Sequence, residues 1–234
     1  MLEILRVLTL GATAGIVFAA VLTSLPVRAA SRLVLAGAIG AWIALAVTIA
    51  GSGLLTTARL ALPVLFMLPL IAAGLAAASA GSRRAIMSIP VQLIAGLNAM
   101  RVLGVFMLIA GITGQMSGPF PYAAGIGDII TGIFAIPVAR LAARDPRDIR
   151  VLEWNVFGAL DLVAAVSLGI LTANGWPLHQ LHAGPGSAAM TTLPWALIPV
   201  VLVPTYLIGH AVIFAHLRAS ATDSRKTQTV YANA

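Results

Sequence analysis

The amino-acid sequence predicts an all-α polytopic membrane protein, a bundle of seven transmembrane helices. Three observations predict it. Only 9% of the 234 residues are charged and 60% are hydrophobic, against about 25% charged in an ordinary soluble domain. Stretches free of Asp, Glu, Lys and Arg run from Val7 to Val27, Leu33 to Ala58, Leu60 to Ser82, Val102 to Gly127 and Leu162 to Leu217, and about 20 apolar residues suffice to cross a bilayer core. Strand-like alternation is missing from those runs, so helices rather than a barrel satisfy the backbone in lipid.

Taken in order, the helices are expected near 4–25, 32–52, 59–79, 91–114, 121–142, 151–172 and 194–216. Pro26 ends the first, Gly51 and Gly53 the second, Gly81 the third, and Gly118-Pro119 the fourth. Pro90, Pro137, Pro199 and Pro204 fall within or beside helices and predict kinks. Residues 1–217 then form one transmembrane domain, and 218–234 a short polar tail expected to be disordered. A run ending at Val27-Arg28-Ala29-Ala30 could pass for a cleavable signal peptide, but export would carry the basic segments that follow to the wrong face, so the run is read as the first helix.

Charge sets the orientation. Alternating the breaks between two faces puts eleven basic residues on one: Arg28, Arg32, Arg83, Arg84, Arg140, Arg144, Arg147, Arg150, Arg218, Arg225 and Lys226. The other face holds only Arg6 and Arg59. The positive-inside rule then places the N-terminus outside and the C-terminus in the cytoplasm, as in a bacterial inner-membrane protein. The net charge of +7 is spent on topology, and no nucleic-acid partner is expected. The absence of cysteine excludes disulfides and thiolate sites. Trp176 and Trp195 are expected at the outer headgroup level and Trp154 at the inner one.

An ionisable side chain in the bilayer interior costs at least about 2.5–3.5 kcal/mol on insertion scales, so each one needs a reason. Three qualify: Arg101, Asp128 and Asp161. Helix rise puts Arg101 and Asp161 roughly 15–20 Å below the outer helix ends and Asp128 roughly 10 Å, which predicts an Arg101–Asp161 ion pair. Asn98, Asn155, Tyr206 and His210 gather near that level, and Gly125 and Gly158 each precede an Asp by three residues, allowing a neighbouring helix to come close. The expected product is a polar core among the fourth to seventh helices. It is read as a binding or translocation site for a small solute or a proton. The alternative is a non-catalytic structural or assembly subunit of a membrane complex, with the small-residue face at Gly37 and Gly40 beside Trp42 as docking surface for a partner or a second copy.

Gly125-Ile126-Gly127-Asp128 resembles the GxGD motif of intramembrane aspartyl proteases and prepilin peptidases. The resemblance covers four residues and implies a second, facing aspartate. Asp161 follows the motif where the family's partner precedes it, the depths differ, and Pro194-Trp195-Ala196-Leu197 only approximates the family's Pro-Ala-Leu element. Seven helices with the N-terminus outside also occur in sugar transporters built from three-helix repeats, an analogy of fold alone, and the chain looks like bacterial multi-pass proteins without an assigned role. No cofactor is expected: the sole lysine, Lys226, lies in the tail, and histidines do not face one another from two helices. His179 and His182, three residues apart in the loop 172–193, are weak metal candidates. Walker, HExxH and Gly-x-Ser-x-Gly signatures are absent.

Overall fold

The computed structural model describes residues 2–232, with side chains at Thr9 and over 11–219. Among the described residues every regular element is helical. The long helices are α1 (Leu2–Ser24) and α2 (Ala29–Gly51), α3 (Ala61–Ala78), α4 (Val91–Ile112), α5 (Phe120–Arg144) and α6 (Ile149–Leu171), and α7 (Val203–Ala232). Six spans among the described residues are long and apolar enough to cross a bilayer: α2 to α6, and Ile198–Ala219 at the start of α7. These mark an integral membrane protein. The described apolar part of α1, Gly11–Ser24, is shorter.

Backbone chemistry explains the interruptions. Gly53 has φ +78° and Gly118 φ +76°, left-handed conformations that glycine adopts without steric cost. Gly53 lies in the turn after α2 and Gly118 just before α5. Pro90 caps the start of α4, whereas Pro137 is accommodated inside α5. Pro204 has no N–H to offer the preceding turn. A π turn, Ile198–Leu202, ends two residues before it, and the Val203 N–H reaches back five residues to the Ile198 carbonyl. α4 tightens to a 3₁₀ stretch over Asn98–Gly104, the segment that carries Arg101. At the far end, α7 continues as helix to Ala232 rather than giving way to the disordered tail expected after Leu217. No Gly or Pro lies between Leu217 and Ala232 to stop it.

The bundle is unevenly buried. In their most apolar stretches, half of the residues of Ile198–Ala219 and 39% of those of α4 are buried within the chain, against 11% for α2 and 6% for α3. Helices α4 to α7 therefore form the core, with α2 and α3 applied to its side. Buried apolar residues at one end of that core include Ile94, Ala95, Ala135, Val151 and Ile213. Those at the other include Met107, Ala110, Phe120, Ala124 and Trp195. The seam between the two clusters is polar.

Small residues let the core helices meet there. A Cβ on Gly104 of α4 would lie 2.9 Å from the Gly125 carbonyl oxygen, and one on Gly125 of α5 would lie 2.8 Å from that of Gly104. Seven residues on, a Cβ on Gly132 would lie 2.6 Å from the Val102 nitrogen. Backbone thus approaches backbone along the α4–α5 crossing, as small-residue faces permit in membranes.

Candidate functional site

Arg101 is the hub of the seam. Its side chain is 1% exposed, and every polar contact it makes reaches another helix. Nε donates to Asp128 Oδ1 of α5 at 2.6 Å, and Nη2 donates to Asp161 Oδ2 of α6. On the opposite edge of the guanidinium, Nη1 donates to the Gly158 carbonyl at 3.2 Å and meets His210 Nε2 at 3.3 Å. The planar fork thus serves two carboxylates from one side and a carbonyl and an imidazole from the other.

The His210 contact decides the protonation pattern of its neighbours. A guanidinium only donates, so His210 Nε2 must accept with its lone pair, and the ring is neutral with its proton on Nδ1. Nδ1 lies 2.8 Å from Asn155 Oδ1, which accepts that proton's hydrogen bond. Asn155 Nδ2 in turn donates to the His210 carbonyl at 3.2 Å. Each atom of the Arg101–His210–Asn155 chain therefore has one consistent role. Trp154 packs against the imidazole, ring centroids 5.5 Å apart, and its Nε1 donates to the Thr131 carbonyl.

Glycines make room for this arrangement. A Cβ on Gly158 would lie 2.6 Å from His210 Cε1, and one on Gly127 would collide with the Asp161 carboxylate. Any side chain at either position would displace a member of the cluster.

The Arg101–Asp161 pair and the polar core among α4 to α7 are present as expected from the sequence. Asp128 shares the same guanidinium although it packs beside Gly104, three residues farther along α4 than Arg101; the flexible arginine stem covers the interval. Asn155 and His210 join the hydrogen-bonded cluster. Tyr206 joins through its ring, whose centroid is 5.8 Å from Arg101 Cζ, within cation–π range. Asn98 does not join: its Nδ2 bonds the Ile94 carbonyl one turn back. The two carboxylates meet through the guanidinium, an arrangement unlike the facing aspartates that the GxGD resemblance implies. Trp154 and Trp195 are buried in the core, 7% and 4% exposed. Their indoles fill space beside the polar seam, and only Trp176 is substantially exposed.

A cavity of about 50 Å³ adjoins the centre, lined by Arg101, Asp128 and Tyr206 with Thr13, Met107, Leu162 and Trp195. It has room for a few water molecules, at roughly 10–15 Å³ of this measure each. Its lining runs from the Arg101 level toward the end of the bundle where α4 finishes and α5 begins. The cluster around Ile94, Ala95, Ala135 and Ile213 closes the opposite side. The Tyr206 hydroxyl is buried there without a hydrogen-bond partner, as are Asn98 Oδ1 and Thr131 Oγ1 elsewhere in the seam. Asp128 is 24% exposed and Asp161 9%, so the carboxylate beside the cavity is the more accessible one.

The loop 172–193 folds back over the cavity end. Gly186 N donates to Ser117 Oγ at 2.8 Å, Ser117 N donates to the Gly186 carbonyl, and Ser187 Oγ donates to the Gly169 carbonyl. The rings of His179 and His182 lie against different glycines, Gly186 and Gly118. Among the described residues no group of three His, Cys, Asp or Glu side chains comes together to hold a metal.

Sequence reasoning missed the Gly158 carbonyl as a ligand of Arg101, and Gly104 as a point of close helix approach. For Gly104 a signal existed: Gly104 and Gly111 are seven apart, as are Gly125 and Gly132, which puts each pair on one helix face two turns apart.

The model of a family described as Domain of unknown function (DUF8737) matches residues 61–218, a stretch that includes α3 to α6, the centre and the loop over it. No curated protein and no solved structure matches the chain.

Proposed function

The chain belongs to the DUF8737 family, whose description assigns no activity, and we propose from the centre itself that it binds a proton or a small solute near the bilayer midplane and carries it across. One observation carries the reading: two carboxylates from different helices share a single guanidinium beside a cavity. With His210 neutral, Asp128 and Asp161 outweigh Arg101 by one formal negative charge. In a low-dielectric interior such an excess is met by a proton or a small cation. Cavity size supports the small end of the range, because a few waters' worth of space holds no sugar-sized molecule.

The reading includes seven spans, with the N-terminus outside and the C-terminus cytoplasmic in a bacterial inner membrane, supported by the eleven-to-two distribution of basic residues. In that orientation the cavity faces outward. Proteoliposomes loaded with a pH-sensitive dye and given an inward proton gradient test the proposal. Wild-type vesicles are expected to acidify faster than empty ones. Asp161→Asn and Asp128→Asn are expected to return the rate to that of empty vesicles, with helicity and elution volume unchanged. Variants that conduct as the wild type does, or that fail to fold, would leave the centre as structural cement.

A second reading, an assembly subunit of a membrane complex, is favoured by α2. Gly37 and Gly40 have open space where a Cβ would stand, and the helix buries little of itself in this chain. Its mark is a stable partner or second copy lost on Gly37→Leu.

A further inference from the structure

A second cavity, of about 610 Å³, lies apart from the polar centre, between α5 and α6 at the end where α5 finishes and α6 begins. Its floor is apolar, with Ile130, Phe134 and Val138 from α5 and Phe157 from α6, and its rim carries Arg140 and Arg144 from α5 and Arg150 and Glu153 from α6. Ile130, Phe134 and Phe157 are all exposed, so the floor faces outward from the bundle.

Charge is distributed unequally around the rim. On α6, Arg150 is already engaged: its Nε and Nη2 donate to Asp148 at 2.9 and 2.7 Å, and Glu153 stands close enough to act on it as well. On α5, Arg140 and Arg144 form no ion pair with any carboxylate among the described residues. They are four residues apart and so share one helix face. Two guanidiniums with no carboxylate in ion-pair contact thus stand at the rim of an apolar trough.

The dimensions match one leaflet. From Ile130 to Arg144 is fourteen residues, about 21 Å of helix, and half of a hydrocarbon core is about 15 Å. A trough that is apolar along an acyl-chain length and cationic at its end has the polarity profile of a single phospholipid.

We propose that the α5–α6 groove is a binding site for one anionic phospholipid, its phosphate between Arg140 and Arg144 and an acyl chain along Phe134 and Phe157. Bulk attraction to a negative surface would engage every basic segment alike, including Arg83 and Arg84 of the short helix Ala80–Met87. The groove instead makes the interaction local. The lipid fills the space between the two helices whose carboxylates hold Arg101, and so braces the packing around the centre.

The test uses the full-length protein purified in mild detergent, with phosphatidylglycerol or phosphatidylcholine added and retained lipid counted by native mass spectrometry. Phosphatidylglycerol is expected to bind at one molecule per chain and to outcompete phosphatidylcholine. Arg140→Gln/Arg144→Gln is expected to weaken its binding by about twenty-fivefold, at roughly fivefold for each arginine. Arg83→Gln/Arg84→Gln is expected to leave it within about twofold, against the roughly fivefold attached to each arginine that contacts the lipid. Equal retention of the two lipids by the wild-type protein overturns the proposal without any variant. So does an equal loss in both double variants, or a second copy of the chain seated in the groove and cross-linked through Phe134→Cys.

Discussion

Replacing Arg101 by methionine keeps much of its volume and removes its charge, and the structure sets the size of the effect. Four contacts vanish: two carboxylates, the Gly158 carbonyl and His210 Nε2. Polar contacts within membranes average about 0.6 kcal/mol each, which puts the four together at about 2.4 kcal/mol. Stranding a buried charge after removing its partner costs about 3–5 kcal/mol, and Asp161 is only 9% exposed. The expected loss therefore lies between about 2 and 5 kcal/mol. Unfolding by SDS in mixed micelles, followed by far-UV circular dichroism, measures it. The charge-balanced triple variant Arg101→Met/Asp128→Asn/Asp161→Asn is expected to recover most of the loss, because exchanging a whole buried ion cluster for neutral groups is often nearly cost-free. A loss below about 1 kcal/mol for the single variant, smaller than the stranded-charge penalty allows, would refute the reasoning. A triple variant no more stable than the single one would do the same.

Gly158→Ala places a methyl 2.6 Å from His210 Cε1 and is expected to cost about 1–3 kcal/mol by overpacking. Nitrogen NMR of the imidazole should then show the Nδ1-protonated form losing its dominance. Tyr206→Phe removes a hydroxyl that has no partner. It should leave stability unchanged or raise it by up to about 1 kcal/mol while slowing dye acidification in proteoliposomes; a wild-type rate would show that the hydroxyl touches nothing that moves. Asp148 caps α6, and hydrogen bonds from Arg150 hold its carboxyl down from 3.8 to about 2. The depressed value means that its contribution is complete above pH 3.8 and is lost as the pH falls through about 2. A carbon NMR titration should show this, and Arg150→Gln should move the midpoint upward.

Membrane character was legible because hydropathy and the scarcity of charge act over twenty residues at a time. The buried pair was legible for a related reason. An arginine and two aspartates stand out in runs of Ala, Leu and Ile, and the insertion cost forces them together. What could not be read was geometry finer than a helix turn. Nothing in Asn98-Ala99-Met100-Arg101-Val102-Leu103-Gly104 announces a 3₁₀ stretch, because no proline interrupts it and its apolar pattern suits either helix. The burial of Trp154 and Trp195 was not legible, because their position near a span's end does not say which neighbours cover them. Contacts with His210 and with the cavity do that. The α5–α6 groove was invisible for a different reason: Arg140 and Arg144 had already been assigned to topology, and only their place at the rim of an apolar trough distinguishes them from other basic residues.

Chain order gives the Arg101 hub a consequence for biogenesis. Its partners arrive late: Asp128 lies 27 residues downstream, Asp161 60 and His210 109. At about 5–20 residues per second of translation, the arginine waits roughly 1–5 s for its first carboxylate and roughly 5–20 s for the imidazole. Until Asp128 arrives α4 carries an uncompensated cation, and the translocon or a neighbouring water-filled channel has to shelter it. The edge of the guanidinium that meets Gly158 and His210 stays unpaired until the sixth and seventh helices have followed.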